Sequence, residues 1–229
     1  MSIVRYHEFL PSSHEGKQVL QLVEENITDL SMLAVPASNP LYQVYQWTLP
    51  VEIGSYMGRI GKVPGQPVEI LLAFNDAAPD VVDGFLLYSP VPTHPEACGV
   101  NYMAVRGSSR RRGIGSELVR ALLNLYPHTE LTCAIKRVPF YQSLGFKVID
   151  NHHTHVVMNT YPASCVGQMA VLDVTAIHES REAAAIHNGL VQKWGVKEMK
   201  KAEKQLERHV AQLCRQAESF AQIHKDTSV

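Results

Sequence analysis

The sequence lacks the features that would place the chain in a membrane, in an oxidising compartment or on nucleic acid. It has no run of about 18 apolar residues, the length that a membrane-spanning helix needs. Arg5, His7 and Glu8 interrupt the apolar residues at the start, so we expect no secretory signal. The four cysteines are widely spaced and form no Cys-x-x-Cys pair, which predicts reduced thiols in a cytoplasmic protein. A net charge of -1 gives no general electrostatic reason to bind nucleic acid.

What is present is typical of one well-packed domain with an appendage. Of the 229 residues, 45% are hydrophobic and 19% are charged, which is enough to bury a sizeable core. Apolar spacing predicts an amphipathic helix over 14–33, capped at residue 12 or 13. The region 34–67 contains five prolines, Pro64 among them. It predicts loops around a short helix near 41–47 that form one wall of a cleft.

Beyond residue 67, strand-like and helix-like runs alternate in a mixed α/β order. Strands are predicted where apolar and β-branched runs lie between turn signals, and helices where apolar residues recur with the 3.6-residue period. The predicted strands cover 68–74, 82–89, 99–105, 131–135, 147–150 and 155–159, with helices beginning near Ile114 and over 140–144. Two successive hairpins favour an antiparallel meander within a layered α/β domain.

A cationic, glycine-punctuated turn lies between the strand that ends at Val105 and the next helix. It reads Arg110-Arg111-Arg112-Gly113-Ile114-Gly115. Glycine lets the backbone approach a ligand closely, and the free N–H groups at a helix start carry the positive end of the helix dipole. The turn is therefore predicted to hold a phosphate. A nucleoside-triphosphatase loop is disfavoured because no Gly-Lys-Ser/Thr follows, and a Rossmann site because no Gly-x-Gly-x-x-Gly pattern is present.

The C-terminal part of the chain predicts helices whose role stays open. Helical patterns over about 176–194 and 196–223 are separated by Gly195, and the second repeats apolar residues at coiled-coil heptad positions. Lysines and Arg208 occupy its outward face. Three arrangements are open: a helical hairpin folded back on the preceding domain, self-association or partner docking through 176–224, and attachment to an acidic surface through the lysines.

Two motifs in this order resemble those of the GCN5-related N-acetyltransferase (GNAT) superfamily. Members carry an Arg/Gln-x-x-Gly-x-Gly/Ala turn after a strand that often ends in Ala-Val, matched here by Met103-Ala104-Val105 and the turn 110–115. An aromatic-Tyr-x-x-Leu-Gly-Phe motif is matched by Phe140-Tyr141-Gln142-Ser143-Leu144-Gly145-Phe146. The resemblance implies a mixed, mostly antiparallel central sheet flanked by helices in residues 1–162, followed by a helical extension over 163–229.

The resemblance also implies acetyl-CoA, or a related acyl-CoA, as the acyl donor. Backbone amides of 111–115 would hold the pyrophosphate, Arg110 would shape the loop, and the preceding strand edge would pair with the pantetheine amides. The implied cofactor-binding residues are Met103, Ala104, Val105, Arg110, Arg111, Arg112, Gly113, Ile114 and Gly115.

Tyr141 is the implied catalytic residue. Related enzymes place a tyrosine at this position, near the coenzyme sulfur, where it can protonate the thiolate as it leaves. A thiol has a pKa of about 8.5 and a tyrosine of about 10, so this proton return is feasible in a desolvated site.

The general base does not match the family. Histone-type members keep a glutamate near a position that here lies close to Gly99. The residues that could orient a water molecule instead are Asn101, Tyr102, Glu96 and His94. An asparagine that many relatives place before the second motif is also replaced, since Ala134-Ile135-Lys136 occupies that region.

The predicted function is N-acetylation of a primary amine, on a protein or a small molecule, by direct attack in a ternary complex. The chain has no obvious Cys-His pair for a covalent acyl-enzyme.

The alternative is a GNAT-fold binding or assembly module that acts through its C-terminal helices with weak or no catalysis. For His152, His153 and His155, a polar turn is favoured over a metal site because no cysteine or carboxylate accompanies them at fixed spacing.

Overall fold

A computed structural model describes residues 1–63 and 65–226; Pro64 and the last residues of the predicted extension, 227–229, lie outside them. The strands are β1 (Ser2–Tyr6), β2 (Glu69–Asn75), β3 (Ala78–Val91), β4 (His94–Val105), β5 (His128–Cys133), β6 (Lys147–His152) and β7 (His155–Asn159). They form one seven-stranded sheet in the order β1-β2-β3-β4-β5-β7-β6. All neighbours are antiparallel except β4 and β5, which are parallel. The predicted mixed, mostly antiparallel sheet is confirmed; β1 is an addition to it.

Helices cover both faces of the sheet. They are α1 (Ser13–Glu24), α2 (Ile27–Leu30), α3 (Tyr42–Met57), α4 (Ile114–Leu125), α5 (Val138–Gln142), α6 (Thr175–His178), α7 (Arg181–Trp194) and α8 (Val196–Asp226). One buried apolar cluster joins α1 and α3 to the sheet, and a second joins α4, α5 and α8 to the opposite face. Because both faces are covered, β2 is buried along almost its whole length. Within the described residues, every helix falls short of the length and hydrophobicity that spanning a bilayer requires.

The start of α1 is fixed by reciprocal hydrogen bonds of the predicted cap. The backbone N–H of Glu15 donates to the Ser12 hydroxyl, and the Ser12 N–H donates to the Glu15 carboxylate. This capping box satisfies two N–H groups that the helix itself leaves without partners.

The region 34–67 departs from the prediction. Instead of a short helix near 41–47 among loops, α3 runs from Tyr42 to Met57 and passes through Pro50. Proline removes one helical hydrogen bond and crowds the preceding turn, so the pattern predicts a break there. The helix continues because its second half buries apolar side chains, including Ile53, Tyr56 and Met57, against the sheet.

A buried carboxylate ties the edge strand to the core. The Glu69 side chain, 8% exposed, accepts hydrogen bonds from the Arg5 guanidinium at 2.8 and 3.0 Å. It also accepts hydrogen bonds from the hydroxyls of Tyr88 at 2.6 Å and Tyr126 at 3.2 Å. The pair therefore holds β1 on β2, and removal of Arg5 would leave the buried Glu69 charge without its counter-ion.

The C-terminal helices are folded back on the sheet. The predicted break occurs at Gly195, which separates α7 from α8 and has a φ of +83°. Ala217 and Ala221 of α8 are buried in the same apolar cluster as β6 and β7, and their small side chains let the helix approach closely. Lys225 bonds Asp150 of β6 at 2.8 Å. The folded-back hairpin is thus present; self-association stays a prediction, as does the domain division at residue 162.

The segment 163–174, here called the strap, connects β7 to these helices across the face that carries α3. It has no regular secondary structure. Ala170 is buried in the α1–α3 cluster, and the Leu172 N–H donates to the Tyr56 hydroxyl at 3.0 Å. A Cβ placed on Gly99 of β4 would overlap the Met169 sulfur, so the strap lies directly on that strand.

Candidate functional site

The parallel strands β4 and β5 pair over a short length and then separate. Their register runs from Ala97 opposite His128 to Val100 opposite Leu131 and ends there. On the other side of β4, the β3 register skips Asn101, because Leu87 faces Tyr102 while Tyr88 faces Val100. A β-bulge of this kind bends a strand. The last residues of β4 therefore leave their backbone N–H and C=O groups free toward β5.

A cavity of about 660 Å³ occupies this gap. It extends from the bulge on β4 past the end of β5 to the start of α4. All the predicted binding residues except Arg112 line it, as does Tyr141: the lining includes Met103, Ala104, Val105, Arg110, Arg111, Gly113, Ile114 and Gly115. The fold thus brings both sequence motifs to one cavity and leaves Arg112 outside its lining.

The turn before α4 has a left-handed backbone at two positions. Gly113, with a φ of +82°, caps the helix, and Arg111 has a φ of +62°. The first helical hydrogen bond runs from the Glu117 N–H to the Gly113 carbonyl. The N–H groups of the first turn therefore have no helical partner and lie along the cavity, where they favour an anion. A non-glycine residue in the left-handed region costs about 1–2 kcal/mol, and such strain clusters at binding sites.

Arg110 anchors this turn to two other elements. Its Nε donates to the Val105 carbonyl at 3.3 Å, and its Nη2 donates to the Asn26 side-chain oxygen. The same guanidinium lies 3.9 Å from the Asp29 carboxylate. Arg110 therefore connects β4 with the segment between α1 and α2. Arg111 also lines the cavity but has no such anchoring contacts to the described residues.

Tyr141 is buried beside the end of β5. Its ring packs edge-on against Phe140 at 4.9 Å and Phe146 at 5.7 Å between centroids. Burial raises the pKa of its hydroxyl, and the neighbouring Cys133 adds to this shift. The hydroxyl is therefore protonated at neutral pH and available as a proton donor.

A family model described as an acetyltransferase (GNAT) domain matches residues 67–148. This part of the chain is therefore similar to a GNAT acetyltransferase domain. The match begins just before β2 and ends in β6, so it contains the opened pair of strands, the cationic turn and the Tyr141 motif. No curated protein matches the chain.

Solved structures share this fold at low sequence identity. The PaiA N-acetyltransferase of Thermoplasma acidophilum, solved in complex with coenzyme A, is 14% identical with a TM-score of 0.53; the likeness covers 69% of this chain and 98% of that one. A structure described as histone acetyltransferase HPA2 and related acetyltransferase, from Corynebacterium glutamicum, is 18% identical with a TM-score of 0.51, covering 72% and 99% of the two chains. At this identity the likeness shows the fold.

The mouth of the cavity carries an ion cluster that the sequence motifs do not reveal. The Asp29 carboxylate of α2 bonds Lys136 at 2.7 Å and Arg137 at 2.9 Å, both just beyond β5. Burial raises the pKa of Asp29, but the hydrogen bond from Lys136 and the charges of Arg137 and Arg110 outweigh this and lower it. Asp29 thereby bridges segments on either side of the cavity mouth. The only sign of this cluster in the sequence is the basic pair Lys136-Arg137, which follows the predicted strand 131–135.

Two buried thiols lie in or near the cavity. Cys133 lines it, and Cys98 lies on the paired part of β4. Burial raises the pKa of each thiol to about 12, with the hydrogen bond to Thr129 opposing the shift at Cys98 and the charge of Arg137 opposing it at Cys133. Both are therefore neutral thiols near pH 7 and poor nucleophiles.

The predicted water-orienting residues separate into two groups. Asn101 and Tyr102 line the cavity, whereas Glu96 and His94 are not among its lining residues. The Asn101 side-chain oxygen accepts a hydrogen bond from the Ser89 hydroxyl at 2.9 Å. The Tyr102 hydroxyl donates to Glu52 of α3 at 2.6 Å. Glu52 was not predicted, because it lies in the region that was expected to form loops.

The three histidines lie at the turn between β6 and β7. His155 lines the cavity, and burial together with the charge of His152 lowers its pKa to about 4, so it is neutral near pH 7. The rings of His152 and His153 meet edge-on at 4.9 Å. In the part of the chain that the structure describes, no three His, Cys, Asp or Glu side chains group as a metal site would require.

Proposed function

We propose that the protein is an acyl-CoA-dependent N-acetyltransferase that transfers an acetyl group from acetyl-CoA to a primary amine. The observation that carries this proposal is the cavity between separated strands β4 and β5, which ends at the cationic turn and the start of α4. A strand edge with free amide groups suits the amides of pantetheine, and a helix start beside arginine suits a pyrophosphate.

The residues present fit this donor. Arg111 and the N–H groups of 113–116 would hold the pyrophosphate, while β4 from Met103 to Val105 offers its backbone to the pantetheine arm. The approach is open at Gly113, since a Cβ placed there would find no atom within 4 Å, and its φ of +82° favours glycine. The coenzyme A complex of the Thermoplasma relative supports the same assignment. The donor supplies a thioester whose acyl carbon an amine can attack.

The chemistry requires two proton movements. As the amine nitrogen bonds to the acyl carbon, the carbon–sulfur bond breaks and its electron pair leaves on sulfur. Tyr141 donates its hydroxyl proton to that sulfur, and the attacking nitrogen gives up a proton to a base or to ordered water. General acid catalysis of this kind contributes roughly 10²–10⁴-fold.

Direct attack in a ternary complex is favoured over a covalent acyl-enzyme. The thiol on the cavity wall, Cys133, has its pKa raised to about 12, so little thiolate forms near pH 7. An acyl-enzyme route would need a thiolate there, with a base beside it.

The deciding experiment is calorimetric titration of the full chain with acetyl-CoA, followed by a thiol-release assay with a panel of amines. We expect binding and amine-dependent thiol release. At about 100 times its dissociation constant, the ligand should also stabilise the fold by about 2.7 kcal/mol in thermal unfolding. Absence of binding at saturating ligand would contradict the proposal.

The second candidate is a binding or assembly module that uses the GNAT fold without efficient catalysis. This candidate is favoured by the C-terminal extension, which consists of the strap, α7 and α8. Its helix α8 packs against the sheet, and the strap contacts β4. Coenzyme binding without thiol release for any amine would support this candidate. Light scattering would test the predicted self-association through 176–224, and a cytoplasmic location stays part of the proposal.

A further inference from the structure

A carboxylate that the sequence motifs do not include lies beside the bulged end of the cavity. Glu52 belongs to α3, and its Oε1 accepts the Tyr102 hydroxyl hydrogen bond at 2.6 Å. Tyr102 lines the cavity next to Asn101, the residue that the β3 register skips. The position is therefore at the opposite end of the exposed β4 edge from the cationic turn. This is the end at which the acyl group of a bound donor would lie.

Glu52 is half-buried and has no counter-ion in the described part of the chain, where none of the ion pairs includes it. Asp29 and Glu69, which are half-buried or buried, each bind arginine, whereas buried Asp83 has no ion pair among the described residues and accepts the hydrogen bond of the Ser109 hydroxyl. Burial raises the pKa of Glu52, and the hydrogen bond from Tyr102 opposes that shift. Because no counter-ion from the described residues lies beside this partly buried carboxylate, a cation that approached it would stabilise its charged form.

Aromatic rings adjoin this carboxylate. The rings of Tyr56 and Tyr102 meet edge-on, with centroids 6.3 Å apart. Tyr56 is one helical turn beyond Glu52 on α3, and the strap holds its hydroxyl through the Leu172 N–H. An anionic oxygen beside aromatic rings is a favourable environment for an ammonium group, because ring faces attract cations.

We propose that Glu52, positioned by Tyr102, binds the ammonium group of the acceptor, so that the enzyme selects aliphatic amines that are cationic at neutral pH. This inference rests on the proposed function and adds the acceptor class to it. Glu52 is an acceptor-binding residue here, and the proton that the nitrogen loses before attack is a separate step.

The test compares two acceptors of similar shape and different charge. Benzylamine is cationic at neutral pH, whereas aniline is uncharged. With the full chain and saturating acetyl-CoA, we expect Glu52→Gln to lower kcat/KM for benzylamine by at least about tenfold, equivalent to about 1.4 kcal/mol, and to change that for aniline by less than about twofold. Glutamine retains an oxygen that accepts the Tyr102 hydrogen bond, so the change removes mainly the charge.

Three further measurements separate binding from structure. Glu24→Gln, an exposed change on α1, is the matched control and should leave both acceptors unaffected. Tyr102→Phe keeps the charge and removes its positioning hydrogen bond, so it should lower kcat/KM for benzylamine by less than Glu52→Gln does. Calorimetry should show weaker benzylamine binding to the coenzyme A complex of Glu52→Gln, with unchanged affinity for acetyl-CoA.

The outcomes distinguish this inference from the function on which it rests. If the wild-type chain does not bind acetyl-CoA, the proposed function fails and the inference fails with it. If acetyl-CoA binds but benzylamine neither binds nor reacts, or if Glu52→Gln affects the two acceptors equally, the acceptor assignment alone is overturned.

Discussion

Adjacent arginines in the cationic turn should respond in opposite ways to the same substitution. Arg111 has a φ of +62° and lines the cavity, whereas Arg112 has no positive φ and is not among the lining residues. Replacing Arg111 by glycine relieves the left-handed strain of about 1–2 kcal/mol but adds about 0.4–1 kcal/mol of chain entropy to the unfolded state. Replacing Arg112 by glycine adds the same chain entropy to the unfolded state but relieves no backbone strain.

These terms predict the stability of both variants. Arg111→Gly should be more stable than the wild type by about 0.5 kcal/mol, and Arg112→Gly less stable by about 0.5–1 kcal/mol. In a chain of this length, 1 kcal/mol shifts Tm by about 2–4 °C. The Tm values of the two variants without ligand should therefore differ by several degrees, with Arg111→Gly above.

Acetyl-CoA affinity should follow the reverse order. The loss of a charged hydrogen bond to phosphate costs about 1.5 kcal/mol, so Arg111→Gly should weaken binding by about tenfold. Arg112→Gly should change Kd by less than about twofold, although both variants lose one positive charge. Scanning fluorimetry without ligand and calorimetry with acetyl-CoA measure the two effects. Equal Tm values or equal affinities would refute the distinction between these arginines.

Three further changes follow from the contacts. Arg5→Ala leaves buried Glu69 without its cation and should lower the free energy of unfolding by about 3–5 kcal/mol in urea denaturation; full stability would refute the role of the ion pair. Asp29→Asn should cost the most stability above the unfolded-state pKa of about 4, because the lowered folded pKa adds stability there that is lost progressively as the pH falls through the folded pKa. Unfolding measured from pH 3 to 8 would show the cost shrinking toward pH 3, and an equal cost across this range would contradict the reasoning. Tyr141→Phe should reduce kcat by roughly 10²-fold or more without changing acetyl-CoA affinity, and unchanged turnover would remove the acid role.

The motif-bearing half of the site could be predicted because its determinants are local. The turn 110–115 and the motif around Tyr141 each depend on short-range patterns: glycine before a helix, arginine beside it, aromatics on a short helix. Strand order then brings both to the same gap, as the resemblance implies. The fold class followed from the same alternation of strands and helices.

The other half of the site, which contains Asp29 and Glu52, depends on contacts between segments that are distant in the sequence. Asp29 meets Lys136 and Arg137 only after α2 is placed over the end of β5, and no spacing rule connects them. Glu52 reaches Tyr102 only because α3 continues past Pro50, where local propensity predicts a break. In both cases burial of apolar side chains decides the position, and the polar contact follows from it.

The contact between Gly99 and Met169 means that a side chain at position 99 and the Met169 side chain would compete for the same space. The resemblance places the glutamate of histone-type members close to position 99, and here any side chain at this position would overlap the Met169 sulfur. A strand with that glutamate would require the Met169 side chain to leave its present position. A carboxylate introduced at position 99 would therefore displace this side chain, which lies three residues before the Leu172 contact that holds Tyr56.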